Sequence, residues 1–267
     1  MFDKINKRIR FKLSKFLRSD KNKKVEQVRV NGYQLLILVN EDVGRQIRYL
    51  GQFEIHETKY YEKIIKDDDI CVDIGANIGY FTLLMARKAG RGHVHAFDPL
   101  ALNVALINAS VKLNHLSNVS VNELAVSNTN GDVQFIQSCD GAYSSMIDTG
   151  RKSVGNTLSV QATTLDAHIE KNSIERVDIL KADVEGAEAL VIDGATKLLL
   201  DKRRRPRSLL LELFDDNLRV YKTDINTVIG KLGSLGYSPF VLDTQGDLIP
   251  YAAKLKVTDC NIIFQAD

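Results

Sequence analysis

The chain has 267 residues, 44% of them apolar and 26% charged, with a formal net charge of +2. This is the balance of an ordinary globular protein with room for one large α/β domain and small additions, and nothing in it calls for a nucleic acid or another polyanion. Three scattered cysteines (Cys71, Cys139, Cys260) with no Cys-x-x-Cys pair argue against a disulfide framework or zinc site and for a reducing compartment, and with no span-length apolar run or signal-peptide pattern the expected location is the cytoplasm.

Basic residues crowd the stretch from Lys4 to Lys24, with Ile5, Ile9, Leu13, Phe16 and Leu17 at helical spacing among them. A basic amphipathic helix of this kind packs on its own domain or a second copy, or docks on a partner or an anionic membrane surface. Two alternating runs, 25–30 and 33–38, flank Asn31-Gly32 and read as a hairpin with a two-residue turn. Residues 41–66 look helical, with a break near Gly51. Residues 1–66 thus form an N-terminal basic helix, hairpin and helical cap over a cleft, and 67–267 the main domain.

From residue 70 the pattern alternates strand and helix, so a mostly parallel sheet with helices on both faces is expected. Strands are expected at 70–74, 93–98, 119–124, 177–182, 208–213, 237–243 and 260–265. No helix-length segment separates the last two, which makes the seventh strand antiparallel. Short alternations rich in Gly and Ser over about 126–165 read as a β-rich insertion at the cleft mouth.

The first strand ends at Asp73 and runs through the small-residue turn Gly75, Ala76, Asn77 and Gly79 into a helical pattern. A strand, glycine turn and helix place exposed backbone N–H groups where a nucleotide-like ligand can sit. Asn77 and Tyr80 occupy the second and third positions of a dinucleotide fingerprint, where glycines are wanted. A buried Asp73 would repel a pyrophosphate but suits the sulfonium and ammonium groups of S-adenosylmethionine. Asp98 closes the second strand and can accept both hydrogen bonds of a ribose diol, and Ala125 follows the third, at the adenine pocket. In Lys181-Ala182-Asp183-Val184-Glu185-Gly186-Ala187-Glu188, alternation puts Lys181 and Asp183 on one side of a buried strand's end. Glu188 reads as a first-turn carboxylate opposing the helix dipole. Glu212 sits in the apolar run of the next strand, and with Asp183 could hold a divalent cation or act as base.

The ordered series 73–81, Ala-Phe-Asp-Pro (96–99), Ala-Val-Ser-Asn (125–128), Thr-Leu-Asp (164–166), 180–188 and Leu-Leu-Glu-Leu (210–213), led in by Gly-Gln-Phe-Glu (51–54), resembles the FkbM family of methyltransferases. Asp98 stands where Glu is commoner and Ala182 where a larger apolar residue is usual. The resemblance implies a Rossmann-like class I methyltransferase sheet of seven strands. It also implies S-adenosylmethionine-dependent methylation of a hydroxyl of a sugar, polysaccharide or secondary metabolite, or alternatively of a peptide or amide nitrogen. Cofactor contacts fall on Glu54, Asp73, Gly75, Ala76, Asn77, Gly79, Asp98, Ala125 and Asp183. Acceptor chemistry falls on Lys181, Asp183, Glu185 and Glu212. A small-molecule, glycan or peptide acceptor and a homo-oligomer are in keeping with this reading. A nicotinamide-dependent oxidoreductase shares the topology, and an RNA methyltransferase lacks an aromatic-interleaved basic surface here.

Overall fold

A computed structural model describes residues 23–251 and 259–267. The expected basic helix falls, apart from Lys23 and Lys24, outside the described residues. β1 (Val25–Val30) and β2 (Tyr33–Leu38) pair antiparallel around Asn31 (φ 47°) and Gly32 (φ 79°), both in the left-handed conformation that a tight hairpin needs. The outer edge of β2 is not left bare. Asn114 Oδ1 accepts from the Gln34 N–H at 2.8 Å, and Ser110 Oγ from the Leu36 N–H at 3.0 Å. These contacts fasten the hairpin to the main body. Two helices follow, α1 (Asp42–Leu50), ended by Gly51 at φ 68°, and α2 (Ile55–Ile64).

The main sheet is built from β3 (Ile70–Ile74), β4 (His93–Phe97), β5 (Val119–Asn122), β9 (Ile179–Ala182), β10 (Ser208–Phe214), β11 (Tyr237–Leu242), β12 (Leu248–Pro250) and β13 (Asp259–Ala266). Its order is β12-β11-β13-β10-β9-β3-β4-β5. β3, β4, β5, β9 and β10 run parallel, and β13 is antiparallel to both β10 and β11. This is the expected mostly parallel Rossmann-like sheet with its last strand reversed, extended at the edge by the three-residue β12. Helices α3 (Tyr80–Lys88), α4 (Ala101–Leu113), α5 (Leu165–Lys171), α6 (Glu188–Asp193), α7 (Thr196–Leu200), α8 (Asp215–Val220) and α9 (Ile225–Ser234) supply the crossovers and flanks. A separate three-stranded sheet, β6 (Ala125–Val126), β7 (Gly131–Ser138) and β8 (Val154–Thr163), is the β-rich insertion. Among the described residues, no helix is long and apolar enough to cross a membrane.

One apolar cluster covers each face of the sheet. On one side Leu36, Tyr61, Phe81 and Leu106 join Cys71, Ile179 and Leu210. On the other, Val72, Phe97, Leu180 and Leu211 meet Leu165, Val191 and Ile262. At the strands' N-terminal ends, Asp178 accepts from the Ile70 N–H and Arg207 forks onto Asp69, which fixes the register of β3 against β9 and β10. The chain steps outward from β3 to β5 on one side and from β9 to β10 on the other. The crevice at that reversal opens above the C-terminal ends of β3 and β9, where α/β sheets hold ligands.

Gly75 shows how tightly that point is drawn. Its φ is 74°, and an added Cβ would sit 1.8 Å from the Asp183 carbonyl oxygen. Gly51 has a similar φ of 68° but open space around it. Gly51→Ala is therefore expected to lose only the left-handed backbone preference, about 1 kcal/mol. Gly75→Ala should lose clearly more, because β3 and β9 must part. Urea unfolding of the two variants measures the difference.

Candidate functional site

A cavity of about 290 Å³ occupies the crevice, walled by the β3–α3 turn, the ends of β4 and β9, α1 and the insertion. Asp73, Gly75, Ala76, Asn77, Asp98 and Ala125 all line it. The turn itself departs from expectation. Its N–H groups are not exposed: those of Gly75 and Ala76 donate to the Phe97 carbonyl at 3.0 and 2.9 Å, Asn77 donates to Asp98 Oδ2 at 2.9 Å, and Gly79 donates to the Ala76 carbonyl. Gly79 (φ 88°) and Asn77 (φ 50°) permit the path, and Gly79 also clears room for Ile107.

Asp98 likewise differs from the simple ribose-diol picture. Its Oδ1 accepts from the Leu100 N–H at 2.8 Å, and Asn103 Nδ2 reaches both oxygens at 3.2 and 3.1 Å. With Asn77 as well, both oxygens already bind chain donors. The carboxylate holds the turn and the start of α4 together while lining the cavity. Burial pushes its pKa up to about 7 despite these donors.

The floor carries the charge. The register places Asp73 beside Lys181, and Lys181 beside Leu210, so Asp73, Lys181, Asp183 and Glu212 project on one face. Lys181 is 2% exposed; its Nζ donates to Asp183 Oδ2 at 2.9 Å and lies 5.3 Å from the Phe81 ring centroid. Burial acts to lower its pKa, but the charges of Asp183, Asp73 and Glu54 prevail and raise it. Asp73 Oδ2 accepts from Thr82 Oγ1 at 2.5 Å, and its buried Oδ1 has no partner. Burial raises Asp73 against the pull of Lys181. Asp183 goes the other way: burial is outweighed by Lys181 and by a hydrogen bond with Glu212, and its pKa falls. Glu212 is driven well above the carboxylate range by burial and by the Asp183 charge. Glu54, at the start of α2, joins them, and burial with Asp183 nearby lifts it to about 8. Sequence reasoning named Glu54 as a cofactor contact and missed its place in this trio, because it arrives from 129 residues upstream of Asp183.

Oxygens of Glu54, Asp183 and Glu212 lie within 4.8 Å of one another, a spacing that by itself suits an oxygen-ligated cation. Lys181 Nζ, 2.9 Å from Asp183 Oδ2, already supplies a positive charge to this group of acids, which disfavours a divalent cation there.

Glu185 also lines the cavity, in a left-handed conformation with φ 54°. Arg151 Nη1 reaches its Oε2 at 2.6 Å, and Asn217 Nδ2 donates to the same oxygen at 2.7 Å. Burial and the Asp183 charge hold Glu185 up at about 7 despite Arg151. The guanidinium is stacked between Tyr143 and Phe214, 4.7 and 4.5 Å from their centroids. Nothing in the sequence marked Arg151, Asn217 or Tyr143: each sits outside a motif. Glu188 opens α6 as the expected first-turn carboxylate, and it is fully buried; its Oε1 accepts from the Val184 and Gly186 N–H groups, while Oε2 has no partner.

The Methyltransferase FkbM domain profile matches residues 73–239. Methyltransferase 1 of Beauveria bassiana (strain ARSEF 2860) is 27% identical over 146 residues, covering 48% of this chain and 59% of that protein. The hexuronic acid methyltransferase AglP of Haloferax volcanii is 26% identical over 136 residues, covering 50% of this chain and 53% of that protein. The chain thus spans little more than half the length of these curated relatives. The solved structure of methyltransferase FkbM from Methylobacillus flagellatus KT aligns over 81% of this chain and 49% of that one, with a TM-score of 0.51 at 13% identity, a likeness of fold.

Burial raises Glu188 to about 8 from an ordinary 4.5. A carboxyl raised on folding contributes stability that is complete below its unfolded pKa and is lost as pH rises through the folded one. Glu188→Gln keeps the acceptor oxygen and removes the titration. Its stability relative to the parent protein should grow from pH 4.5 to pH 8–9 by roughly 1–3 kcal/mol. Denaturant unfolding at a series of pH values checks the slope.

Proposed function

The chain belongs to the FkbM methyltransferase family, and from that premise we propose that it methylates a hydroxyl oxygen of a sugar or similar polyhydroxylated molecule, with S-adenosylmethionine as donor. The observation that carries the reading is a carboxylate, Asp183, held in its charged form by Lys181 and lining a cavity that the β3–α3 turn also lines. Two features favour this donor over a dinucleotide. The N–H groups of Gly75, Ala76, Asn77 and Gly79 are consumed within the chain, so a pyrophosphate would find few backbone donors there. Asp73 offers a buried, unpartnered oxygen, which suits a cationic group. The sugar acceptor is supported by the hexuronic acid methyltransferase among the relatives.

S-adenosylmethionine, when bound, supplies a methyl group activated by its sulfonium. Asp73 and Asp98 would hold its polar ends, with Ala76, Asn77 and Ala125 along the cavity wall. Asp183 orients the acceptor hydroxyl and takes its proton. An alcohol oxygen becomes strongly acidic as it is alkylated, so a base with a depressed pKa is adequate. Lys181 favours the charged form of Asp183, and a hydrogen bond between Glu212 and Asp183 fixes the Asp183 rotamer. Glu185, oriented by Arg151 and Asn217, faces the acceptor side.

Asp183→Asn is expected to lower turnover by about 10²–10⁴-fold while S-adenosylhomocysteine still binds in calorimetry. Glu212→Gln, which keeps a neutral hydrogen-bonding side chain, should retain most activity. Turnover should also survive exhaustive chelation, since Lys181 supplies the local positive charge. Full activity of Asp183→Asn, or tighter binding of NAD than of S-adenosylhomocysteine, would end the proposal.

A further inference from the structure

Seven large apolar side chains are exposed among the described residues, and four of them sit on α1 and on the insertion, the two segments that wall the cavity from outside the main sheet. Tyr49 is 75% exposed and Leu50 65%, at the end of α1. Helical spacing puts Leu50 on the same face as Val43 and Gln46, with Tyr49 beside it. Val43, Gln46 and the following Phe53 all line the cavity. The wall thus runs outward along α1 to a pair of apolar side chains in water. Ile147 and Val154 are exposed on the insertion, which gives Tyr143, Met146 and Arg151 to the same cavity. Contiguous exposed apolar groups of this kind mark contact surfaces.

Positive charge joins the fold at this rim. The stretch from Lys4 to Lys24 holds ten of the chain's 36 lysines and arginines and one of its 34 acids, so the rest of the chain is net acidic. It enters at the foot of α1: Lys23 Nζ pairs with Glu41, the residue before the helix, and the Lys24 carbonyl accepts from the Val39 N–H at 3.0 Å. On α1 itself the charges cancel, Arg45 against Asp42 and Arg48 against Glu26. On the insertion Arg151 and Lys152 are taken by Glu185 and Asp42, and Asp148 is exposed, so that side adds an apolar edge and no free positive charge.

We propose that this rim docks on an anionic phospholipid bilayer. Tyr49 and Leu50 enter the headgroup layer, and the charge of the Lys4–Lys24 stretch supplies the attraction. A tyrosine suits that layer, since its ring is apolar and its hydroxyl can stay wet. A nucleic acid would use the charge and leave Leu50 in water, whereas a phospholipid surface uses both. Docked in this way, the cavity opens toward the headgroups.

The chain has no tryptophan, so one introduced at the rim reports on the rim alone. The full-length Leu50→Trp variant is mixed with vesicles of phosphatidylcholine, alone or with an equal part of phosphatidylglycerol. Its emission should shift to the blue with the anionic vesicles, stay in place with the neutral ones, and return as salt is raised. Leu200→Trp is the control for orientation. Leu200 is also exposed, but it ends α7 at the opposite edge of the sheet, where the Val177 N–H donates to the Arg204 carbonyl just before β9, and its emission should not move. The parent protein should sediment with the anionic vesicles. The double variant Tyr49→Ser/Leu50→Ser and the triple variant Lys7→Gln/Arg8→Gln/Arg10→Gln should each bind them about tenfold more weakly or worse. The inference is overturned if the parent does not sediment with anionic vesicles, if neutral vesicles serve as well, or if either multiple variant binds as the parent does. It is equally overturned if Leu200→Trp shifts as far as Leu50→Trp, or if Leu50→Trp emission is unmoved by vesicles, the result expected of a rim covered by this chain or by a second copy. Neither readout involves S-adenosylhomocysteine, so each of these results leaves the methyl-transfer reading standing.

Discussion

Lys181 puts an ammonium group on the buried face of a central strand, and the electrostatic state of everything around it follows from that one placement. An unpaired buried ammonium costs several kcal/mol, so the strand ends must bring acids to it. Four arrive: Asp73 from β3, Asp183 just past the end of the same strand, Glu212 from β10 and Glu54 from the start of α2. One cation can hold about one anion in a site of low polarity. Asp183, in direct contact, takes that role and is driven below the usual range, while burial and the Asp183 charge push Glu54 and Glu212 up. The acids are thus not interchangeable, although their side chains are chemically alike. Asp73, raised and with one oxygen unpartnered, is the place where a second positive charge would be most welcome.

Much of this arrangement is written in local patterns. Alternation alone puts Lys181 and Asp183 on one side of a strand, and the run of strands and helices from residue 70 is regular enough to order the parallel sheet. Asn31-Gly32 specifies the hairpin because few other pairs accept positive φ at both positions. What pattern cannot carry is convergence from distant parts of the chain. Glu54 and Arg151 reach the site from a helix start and from an insertion loop, and neither belongs to a periodic segment. The β3–α3 turn shows a subtler limit. A glycine-rich turn has the same sequence whether its N–H groups face a ligand or fold back, and the outcome is decided by Phe97 and Asp98 on the neighbouring strand.

Asp98 illustrates the consequence of a single methylene. As the shorter acid it stays close to the backbone, where Asn77, Leu100 and Asn103 donate to it, so it braces the turn and the start of α4 at once. Burial then holds its pKa near 7, and the bracing depends on protonation state more than an exposed aspartate's would. The rigidity of the cavity wall and its charge are therefore set by the same group.

Two of the acids also carry backbone strain. Glu54 (φ 40°) and Glu185 (φ 54°) occupy the left-handed region, which costs a non-glycine residue on the order of 1–3 kcal/mol and persists only where neighbours fix it. For Glu185 the fixing contacts are Arg151, Asn217 and the adjoining Gly186, whose φ of 104° and close approach to the Asn217 carbonyl admit no side chain. For Glu54 the 2.8 Å hydrogen bond from the Thr58 N–H to its own carbonyl begins α2 and anchors the residue. Neither acid serves the apolar core, and a relaxed backbone would turn each away from Asp183. The strain is best understood as the cost of preorganisation: it aims carboxyl groups at a point that the sheet alone, with side chains only from β3, β9 and β10, could not surround.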